Sequence, residues 1–220
     1  MTLNNKNLIY KKDFNIFSLM KKILIFGASS PTGKVIVSHL LSTKKNLDIT
    51  CYVRTPEKLS SFSNIIIKKG DTLDQQNISS SMKNMDLVIA LLKGENLVTL
   101  AENIIKSMKE NNIKRIIWMT GMGIHHEVPG PENVKKILDE LCETLPDYVK
   151  AADIIMNSGL DYTLLRGAHL IDGENKKYFL QKEGEYLHAF TCDRIAIAEF
   201  IGSIIDNMEL YKNESIGVTN

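Results

Sequence analysis

Residues 21–34 read KKILIFGASSPTGK, and this stretch decides the fold. A short apolar run ends in a turn bounded by Gly27 and Gly33, and apolar residues then recur at helical spacing from Val35 onward. The pattern predicts a strand, a tight loop and the first turn of a helix. Because N–H groups are left unpaired at the start of a helix and the helix dipole adds positive charge there, such a loop is suited to bind a diphosphate.

The loop keeps two glycines of the three in a dinucleotide-binding fingerprint, Gly27 and Gly33, and has Ser30 at the middle position. Gly27 can form the tight turn, and Gly33 permits close contact between helix and strand. The Ser30 hydroxyl can bond a phosphate oxygen instead, although the same pattern also suits a strand, turn and helix that bind no ligand. The predicted dinucleotide contacts in the loop are Gly27, Ser29, Ser30, Pro31, Thr32 and Gly33.

The composition of the 220 residues suits one domain with a sizeable core. With 27 basic and 26 acidic residues the net charge is +1, so neither nucleic acid nor a membrane surface is expected as a partner. Cys51, Cys142 and Cys192 are far apart and form no CxxC pair, which predicts reduced thiols in a cytoplasmic protein. No apolar stretch approaches the length that spans a bilayer.

Residues 1–20 differ from the rest of the chain. They are polar, have no sustained apolar core and do not resemble a secretory signal. Met20 stands directly before the first predicted strand. We therefore predict a loosely ordered N-terminal extension over 1–20, with the functional start at Met20, and a single Rossmann-type domain over 21–220.

From residue 21 onward, apolar runs alternate with segments of helical period. The predicted strands are 22–27, 48–53, 64–68, 86–91, 114–119 and 161–166. The predicted helices are 32–43, 74–83, 96–111, 132–145, 148–158 and 194–207. Continuous Val/Ile/Leu strands indicate helices on both faces of a sheet. This order predicts an α/β fold with a Rossmann-type doubly wound parallel sheet, in a single domain with a small C-terminal elaboration.

Two local features refine this order. Pro146 is expected to end one helix, and Asp147 is expected to cap the next. Residues 176–190 suggest a short hairpin, with Glu183-Gly184-Glu185 as its turn. Trp118, in the fifth predicted strand, is expected in the core.

The loop, the strand order and several short strings resemble the atypical short-chain dehydrogenase/reductase superfamily, and within it the small NmrA-like NAD(P)H-binding branch. The strings are GASSPTG at 27–33, VR at 53–54, GD at 70–71, SGLDYTLLR at 158–166 and IGVTN at 216–220. The resemblance covers about residues 21–220, and the branch includes reductases of flavin and biliverdin.

Arg54 stands at the end of the second predicted strand, where the resemblance implies a contact with the adenosine ribose. An acidic residue there would bind a ribose 2′-hydroxyl, whereas an arginine suits a 2′-phosphate. No Asp or Glu lies at 50–54, so NADP(H) is expected as the preferred cofactor, with NAD(H) possible. Lys58 can assist Arg54. The alternative is that both side chains simply face water.

Two further cofactor contacts follow from the resemblance. Asp71, after the third predicted strand, and its neighbour Thr72 are implied beside the adenine, although Asp71 is equally suited to cap the next turn. Leu91 and Leu92 end the fourth predicted strand, where the family flanks the cofactor ribose. The alternative for both leucines is a place in the core.

Active dehydrogenases of the superfamily use a Tyr-x-x-x-Lys pair on one helix face, because the lysine lowers the tyrosine pKa. Here Tyr148 is followed four positions later by Ala152, and Lys150 points elsewhere on a helix. The literal match at 178–182 lies in the predicted β excursion, so we interpret it as coincidence. A complete tyrosine-based triad is therefore absent.

Two candidate catalytic residues remain. Thr120 keeps the Ser/Thr position that the family has after its fifth strand, and it is also a predicted cofactor contact. His169 matches a histidine on the nicotinamide side, where it would line the substrate pocket or donate a proton. A histidine at a strand exit is, however, often a hydrogen-bonded structural residue.

The missing tyrosine–lysine pair favours an acceptor that needs no protein proton donor. Flavins and quinones accept a hydride with proton delivery from solvent, so we predict an oxidoreductase with such a small-molecule acceptor. The alternatives are a non-catalytic NmrA-like NAD(P)H sensor and, more weakly, a nucleotide-sugar epimerase. No metal site is expected, since the adjacent His125 and His126 have no further ligand at suitable spacing. The predicted assembly is a monomer or a homodimer.

Overall fold

The computed structural model describes residues 20–128, 130, 132, 135 and 145–220. Apart from Met20, the predicted N-terminal extension lies outside the described residues, and so does most of the predicted helix at 132–145. The described strands are β1 (Lys21–Phe26), β2 (Leu47–Val53), β3 (Ile66–Lys69), β4 (Leu87–Ala90), β5 (Arg115–Gly121), β6 (Asp161–Gly167), β7 (His169–Ile171), β8 (Phe179–Gln181), β9 (Thr191–Asp193) and β10 (Glu214–Thr219). The described helices are α1 (Pro31–Thr43), α2 (Gln75–Ser81), α3 (Leu97–Glu110), α4 (Leu145–Met156) and α5 (Arg194–Asp206), with a short 3₁₀ turn at Pro56–Leu59.

Eight strands form one sheet in the order β3-β2-β1-β4-β5-β6-β10-β8. All neighbours are parallel except β8, which runs antiparallel to β10. The strands β7 and β9 form a separate two-stranded parallel sheet. The Rossmann-type doubly wound fold expected from the sequence is confirmed, and the small second sheet belongs to its C-terminal elaboration.

Both faces of the large sheet are covered by helices. Alternate residues of β1 belong to different cores, with Ile23 and Ile25 on one face and Leu24 and Phe26 on the other. The helices α1 and α5 pack together on the first face, and α2, α3 and α4 cover the second. Because each strand is buried on both sides, its sequence reads as a continuous apolar run. Trp118 is in the core, as predicted.

The structure corrects the predicted start of the helix at 148. Leu145, Pro146 and Asp147 are already helical, so Asp147 is not an N-cap. In the helix as described, Pro146 falls in the first turn, where its fixed φ suits a helix and its missing N–H needs no partner.

The predicted hairpin at 176–190 is wrong in its pairing and right in its turn. Gly184 has a φ of +86°, and the N–H of Glu185 donates to the carbonyl of Lys182 at 3.2 Å. The strand β8 before this turn pairs with β10, not with the residues that follow the turn. Since β10 begins more than thirty residues later, local turn chemistry cannot reveal this partner.

Candidate functional site

The order of the strands reverses at the centre of the sheet. The chain moves from β1 outward to β2 and β3, and then returns to β4 on the other side of β1. The loops that leave β1 and β4 therefore separate at the edge where the parallel strands end, which we call the carboxyl edge. In open α/β sheets this switch point forms the ligand crevice.

Two adjoining cavities occupy the carboxyl edge of this protein. The β1–β3 cavity has a volume of about 200 Å³ and the β5–β6 cavity about 330 Å³. They share the walls formed by Leu92 and Lys93, so together they make one trough. Predicted site residues that line the β1–β3 cavity are Gly27, Ser29, Arg54, Asp71, Thr72 and Leu92. Those that line the β5–β6 cavity are Ser30, Pro31, Thr32, Leu91, Leu92, Thr120 and His169.

The loop after β1 has room for backbone only. Gly27 has a φ of +78°, and a Cβ built on it would collide with the carbonyl oxygen of Leu91. A Cβ on Gly33 would collide with the carbonyl oxygen of Gly27. Gly27 thus forms the tight turn and Gly33 the close helix–strand contact that the sequence predicted, and Gly33 lies behind the trough instead of lining it. The two glycines thus let the backbone of residues 27–33 pack closely against itself and against Leu91, and we call this loop the glycine cradle.

Ser30 is the N-cap of α1. Its hydroxyl oxygen accepts a hydrogen bond from the N–H of Gly33 at 3.0 Å, so this oxygen is already used in capping. Pro31 follows and has no N–H. Of the first three helical residues, Thr32 therefore retains the free N–H, and the Ser30 hydroxyl keeps its proton for donation.

Arg54 follows β2 on the wall of the β1–β3 cavity. It is exposed and has no hydrogen-bond or ion-pair partner among the residues that the structure describes. Lys58 is exposed in the adjacent 3₁₀ turn and does not line the cavity. An unpaired guanidinium at a cavity wall is suited to bind a phosphate.

Asp71 has a structural role besides its place at the cavity wall. Its Oδ1 accepts a hydrogen bond from the N–H of Leu73 at 2.9 Å, which is the turn-capping role considered as the alternative. Its carbonyl accepts a hydrogen bond from the hydroxyl of Tyr52 at 3.0 Å. Burial raises the pKa of Tyr52 to about 12, and the nearby carboxylates of Asp74 and Asp71 add to the shift. Tyr52 therefore stays a neutral donor that fixes this wall.

Thr120 and Tyr148 face the β5–β6 cavity. Thr120 is 3% exposed, and its buried Oγ1 has no hydrogen-bond partner within the described part of the chain. Tyr148 also lines this cavity, although Ala152 stands four positions after it in place of a lysine. Burial raises the pKa of Tyr148, a shift opposite to the one a tyrosine proton donor of this superfamily needs.

The other tyrosine lies elsewhere. Tyr178 packs edge-on against Phe200, with 5.7 Å between ring centroids, and it lines neither cavity of the trough. The Tyr178–Lys182 spacing is therefore coincidental, as predicted.

His169 begins β7 at the exposed rim of the β5–β6 cavity. Its backbone N–H donates to the carbonyl of Phe190 at 2.9 Å, and the rings of His169 and Phe190 are stacked with centroids 5.9 Å apart. The backbone of His169 is therefore held against Phe190, and its side chain is exposed to water. The same cavity contains Arg194, which the sequence argument missed because only the pairing of β7 with β9 brings it there.

No group of three or more His, Cys, Asp or Glu side chains in the described part of the chain is arranged to hold a metal ion. None of the helices in that part of the chain is both long and apolar enough to cross a membrane.

The doubly wound sheet, with a glycine cradle at its switch point, defines a Rossmann-type protein with a nucleotide crevice. The sequence model of the NAD(P)H-binding family matches residues 27–208. The chain therefore belongs to the NAD(P)H-binding family. The resemblance inferred from the sequence is confirmed at this level, whereas the NmrA-like branch stays a prediction.

Solved structures agree with this assignment. A Rossmann-fold NAD(P)-binding family protein from Shigella flexneri is 31% identical, with a TM-score of 0.79 over 91% of this chain and 94% of its own. A short-chain dehydrogenase/reductase from Veillonella parvula, in complex with NADP, is 22% identical, with a TM-score of 0.80 over 91% and 94%. An anaerobillin reductase from Escherichia coli O157:H7 is 18% identical, with a TM-score of 0.75 over 90% and 97%. Below 25% identity the likeness concerns the fold alone. Among curated proteins, no sequence matches the chain.

Proposed function

We propose that the chain is an NADPH-dependent oxidoreductase that reduces a flavin, a quinone or a similar small acceptor. The observation that carries the proposal is the trough itself. Within the described residues, one of its cavities has the unpaired Arg54, and the other has the buried, unpartnered hydroxyl of Thr120 together with Tyr148, which has Ala152 in place of a lysine four positions on. The described residues fit the coenzyme, since a bound nucleotide could pair the N–H of Thr32 and the hydroxyl proton of Ser30 at the start of α1 and the Oγ1 of Thr120.

The β1–β3 cavity would hold the adenosine half. Arg54 would bind the 2′-phosphate with its planar fork, which favours NADPH over NADH. Asp71 and Thr72 would lie beside the adenine. The N–H of Thr32 and the hydroxyl of Ser30 would donate to the diphosphate, and Ser29 would flank it.

The β5–β6 cavity would hold the reactive half. Bound coenzyme supplies a hydride. Leu91 and Leu92 would flank the ribose, and the Thr120 Oγ1 would gain the hydrogen bond it lacks. His169, at the wet rim, would pass a proton from solvent to the reduced acceptor. Burial raises the pKa of Tyr148, and Ala152 stands where active dehydrogenases of the superfamily have the lysine that lowers it, so carbonyl reduction is disfavoured relative to flavin or quinone reduction.

Two of the similar solved structures support an NADPH-dependent reductase, since one is in complex with NADP and the other is an anaerobillin reductase. We propose the cytoplasm as the location, since Cys51 and Cys192 are buried free thiols. A monomer or a homodimer, with no nucleic-acid or membrane partner, completes the proposal.

A second candidate is a non-catalytic NmrA-like sensor that binds NADP⁺ and NADPH and reports their ratio to a partner. The observation in its favour is that Ala152, and not a lysine, stands four positions after Tyr148 in α4.

Steady-state oxidation of NADPH with FMN, a soluble naphthoquinone and biliverdin as acceptors tests the first candidate. Turnover is expected with at least one acceptor and should be slower with NADH. Tight NADPH binding without turnover of any acceptor would reject the reductase. If NADP⁺ and NADPH then bind with different affinities by calorimetry, the sensor is supported instead.

A further inference from the structure

Arg194 lies on the wall of the β5–β6 cavity with donor groups that the described part of the protein does not use. Its Nη1 donates to Oδ1 of Asp172 at 2.7 Å. Its Nε is buried and has no hydrogen-bond partner in the described part of the chain. A guanidinium carries five N–H donors, and the hydrogen bond to Asp172 uses one of them.

The position of Arg194 follows from the small sheet. The strands β7 and β9 pair in register, with His169 opposite Thr191 and Ile171 opposite Asp193. Asp172 directly follows β7, and Arg194 directly follows β9. The sheet therefore places Arg194 on the same structural unit as His169, on the side of the trough that would receive an acceptor.

The partner of Arg194 is weakly held. The side chain of Asp172 is 88% exposed, whereas that of Arg194 is only 19% exposed. An ion pair with one partner in water contributes little, and a second anion can compete for the guanidinium. The neighbouring cavity walls are largely apolar, with Met119, Met122 and Leu170. The apolar walls and the guanidinium together suit a ligand that has a flat apolar body and one anionic group.

We propose that Arg194 binds a phosphate or carboxylate group of the acceptor and so makes the reductase selective for anionic acceptors. This inference rests on the proposed function, because it names the class of substrate for the same site. Asp172 acts as the counter-ion that the anionic group displaces.

FMN and riboflavin form a matched pair of probes, because they differ only in the phosphate. Equilibrium binding of each flavin to the NADP⁺-saturated protein, followed by flavin fluorescence, needs no turnover. In the native protein FMN is expected to bind about tenfold more tightly than riboflavin. In Arg194→Gln this preference should disappear through loss of FMN affinity, with riboflavin affinity changed less than about twofold. Lys150→Gln, an exposed cation outside both cavities, should keep the preference.

Asp172→Asn provides a second test that leaves Arg194 in place. Removal of the competing carboxylate should tighten FMN binding and leave riboflavin unchanged, whether or not Arg194→Gln folds. Equal affinities of the two flavins for the native protein would overturn the inference. It would also be overturned if Arg194→Gln weakened NADP⁺ binding and both flavins alike, because Arg194 would then contact the coenzyme. Absence of turnover with every acceptor would reject the proposed reductase while the flavin preference still decided the role of Arg194.

Discussion

The two edges of the large sheet differ in how completely their buried side-chain polar atoms are hydrogen-bonded. At the amino edge, Arg115 is 4% exposed and all three of its side-chain nitrogens are hydrogen-bonded. Its partners are the carbonyls of Ile116, Asp161, Met208 and Leu210 and the hydroxyl of Thr163, at 2.8 to 3.1 Å. Toward the carboxyl edge, the buried Oγ1 of Thr120 and Nε of Arg194 have no hydrogen-bond partner in the described residues, and both residues line the β5–β6 cavity.

The difference separates stability from binding. A buried donor that is fully paired stabilises the fold, whereas an unpaired one is unfavourable until a ligand pairs it. At the amino edge, the hydrogen bonds of Arg115 thus hold the loop between α5 and β10 in place. At the carboxyl edge, the unpaired polar groups are ones that a ligand can satisfy. A buried ion pair supports the carboxyl edge. Arg166 lies 3.1 Å from Glu127 with both side chains buried, and it fixes the loop after β5 that carries Met122.

The largest expected effect tests the amino edge. Arg115→Met would leave four backbone carbonyls and the Thr163 hydroxyl short of a donor, and it should lower the free energy of unfolding by about 3–5 kcal/mol. The measurement is urea denaturation followed by circular dichroism. Thr120→Val is the matched control from the carboxyl edge. Because its Oγ1 has no partner to lose, unfolding should change by less than about 1 kcal/mol while coenzyme binding weakens. Equal losses of stability in the two variants would contradict the contrast between the edges.

The next effect separates backbone strain from the glycine cradle. Gly27→Ala combines a φ of +78° with a collision against Leu91, and it should destabilise the fold by about 2–4 kcal/mol and abolish NADPH binding. Gly159→Ala is the control, since its φ is +76° and a Cβ there would meet nothing within 4 Å. It should cost only the strain, about 1–2 kcal/mol, and leave the NADPH affinity intact. Thermal unfolding and calorimetric titration of both variants give the comparison. Similar NADPH affinities in the two variants would show that the cradle is not part of the site.

Arg54→Ala sharpens the comparison within the trough. Loss of the guanidinium should weaken NADPH binding by about 1–3 kcal/mol and leave NADH binding nearly unchanged, because only NADPH carries the 2′-phosphate. Calorimetric titration with both coenzymes measures the difference. Lys58→Ala, a nearby cation outside the cavity wall, should change NADPH affinity much less. A parallel loss of NADPH and NADH affinity would assign Arg54 another role.

The smallest effect lies away from both edges, between α1 and α5. Burial lowers the pKa of His39 from 6.5, Lys176 and Lys44 lower it further, and Glu199, 3.6 Å away, opposes them. A lowered folded pKa means that the unfolded chain binds the proton more readily, so this contribution to stability is present above pH 6.5 and is lost as the pH falls. Urea denaturation between about pH 7.5 and about pH 5.5 should show a decline that is shallower in His39→Gln. An identical decline in both proteins would exclude His39 as its source.

Much of the carboxyl edge could be predicted from the sequence, because its signals are local. The tight turn at Gly27, the contact at Gly33 and the cavity positions of Arg54 and Thr120 follow from short strings next to strands that the hydrophobic pattern identifies. Parallel strands bring their carboxyl ends to one edge, so residues after different strands were expected together.

Other features had no local signal. The pairing of β8 with β10 and of β7 with β9 depends on which segments meet in space, and the hairpin prediction failed for that reason. The residue four positions after Tyr148 bears on the proton chemistry of its hydroxyl, but it does not indicate where the ring lies. Arg194 was predicted as the first residue of the helix at 194–207, and nothing near it in the chain marks it as a cavity residue.

The sequence by itself determined the class of fold, the glycine-bounded loop after β1 and the charge at the end of β2, because periodicity, glycine spacing and strand ends act over a few residues. Only the tertiary structure decided which side chains share the β5–β6 cavity and which buried donors there stay unpaired. The physical reason is that pairing and burial depend on contacts between segments far apart in the chain, and no local pattern encodes the partner that each segment finds.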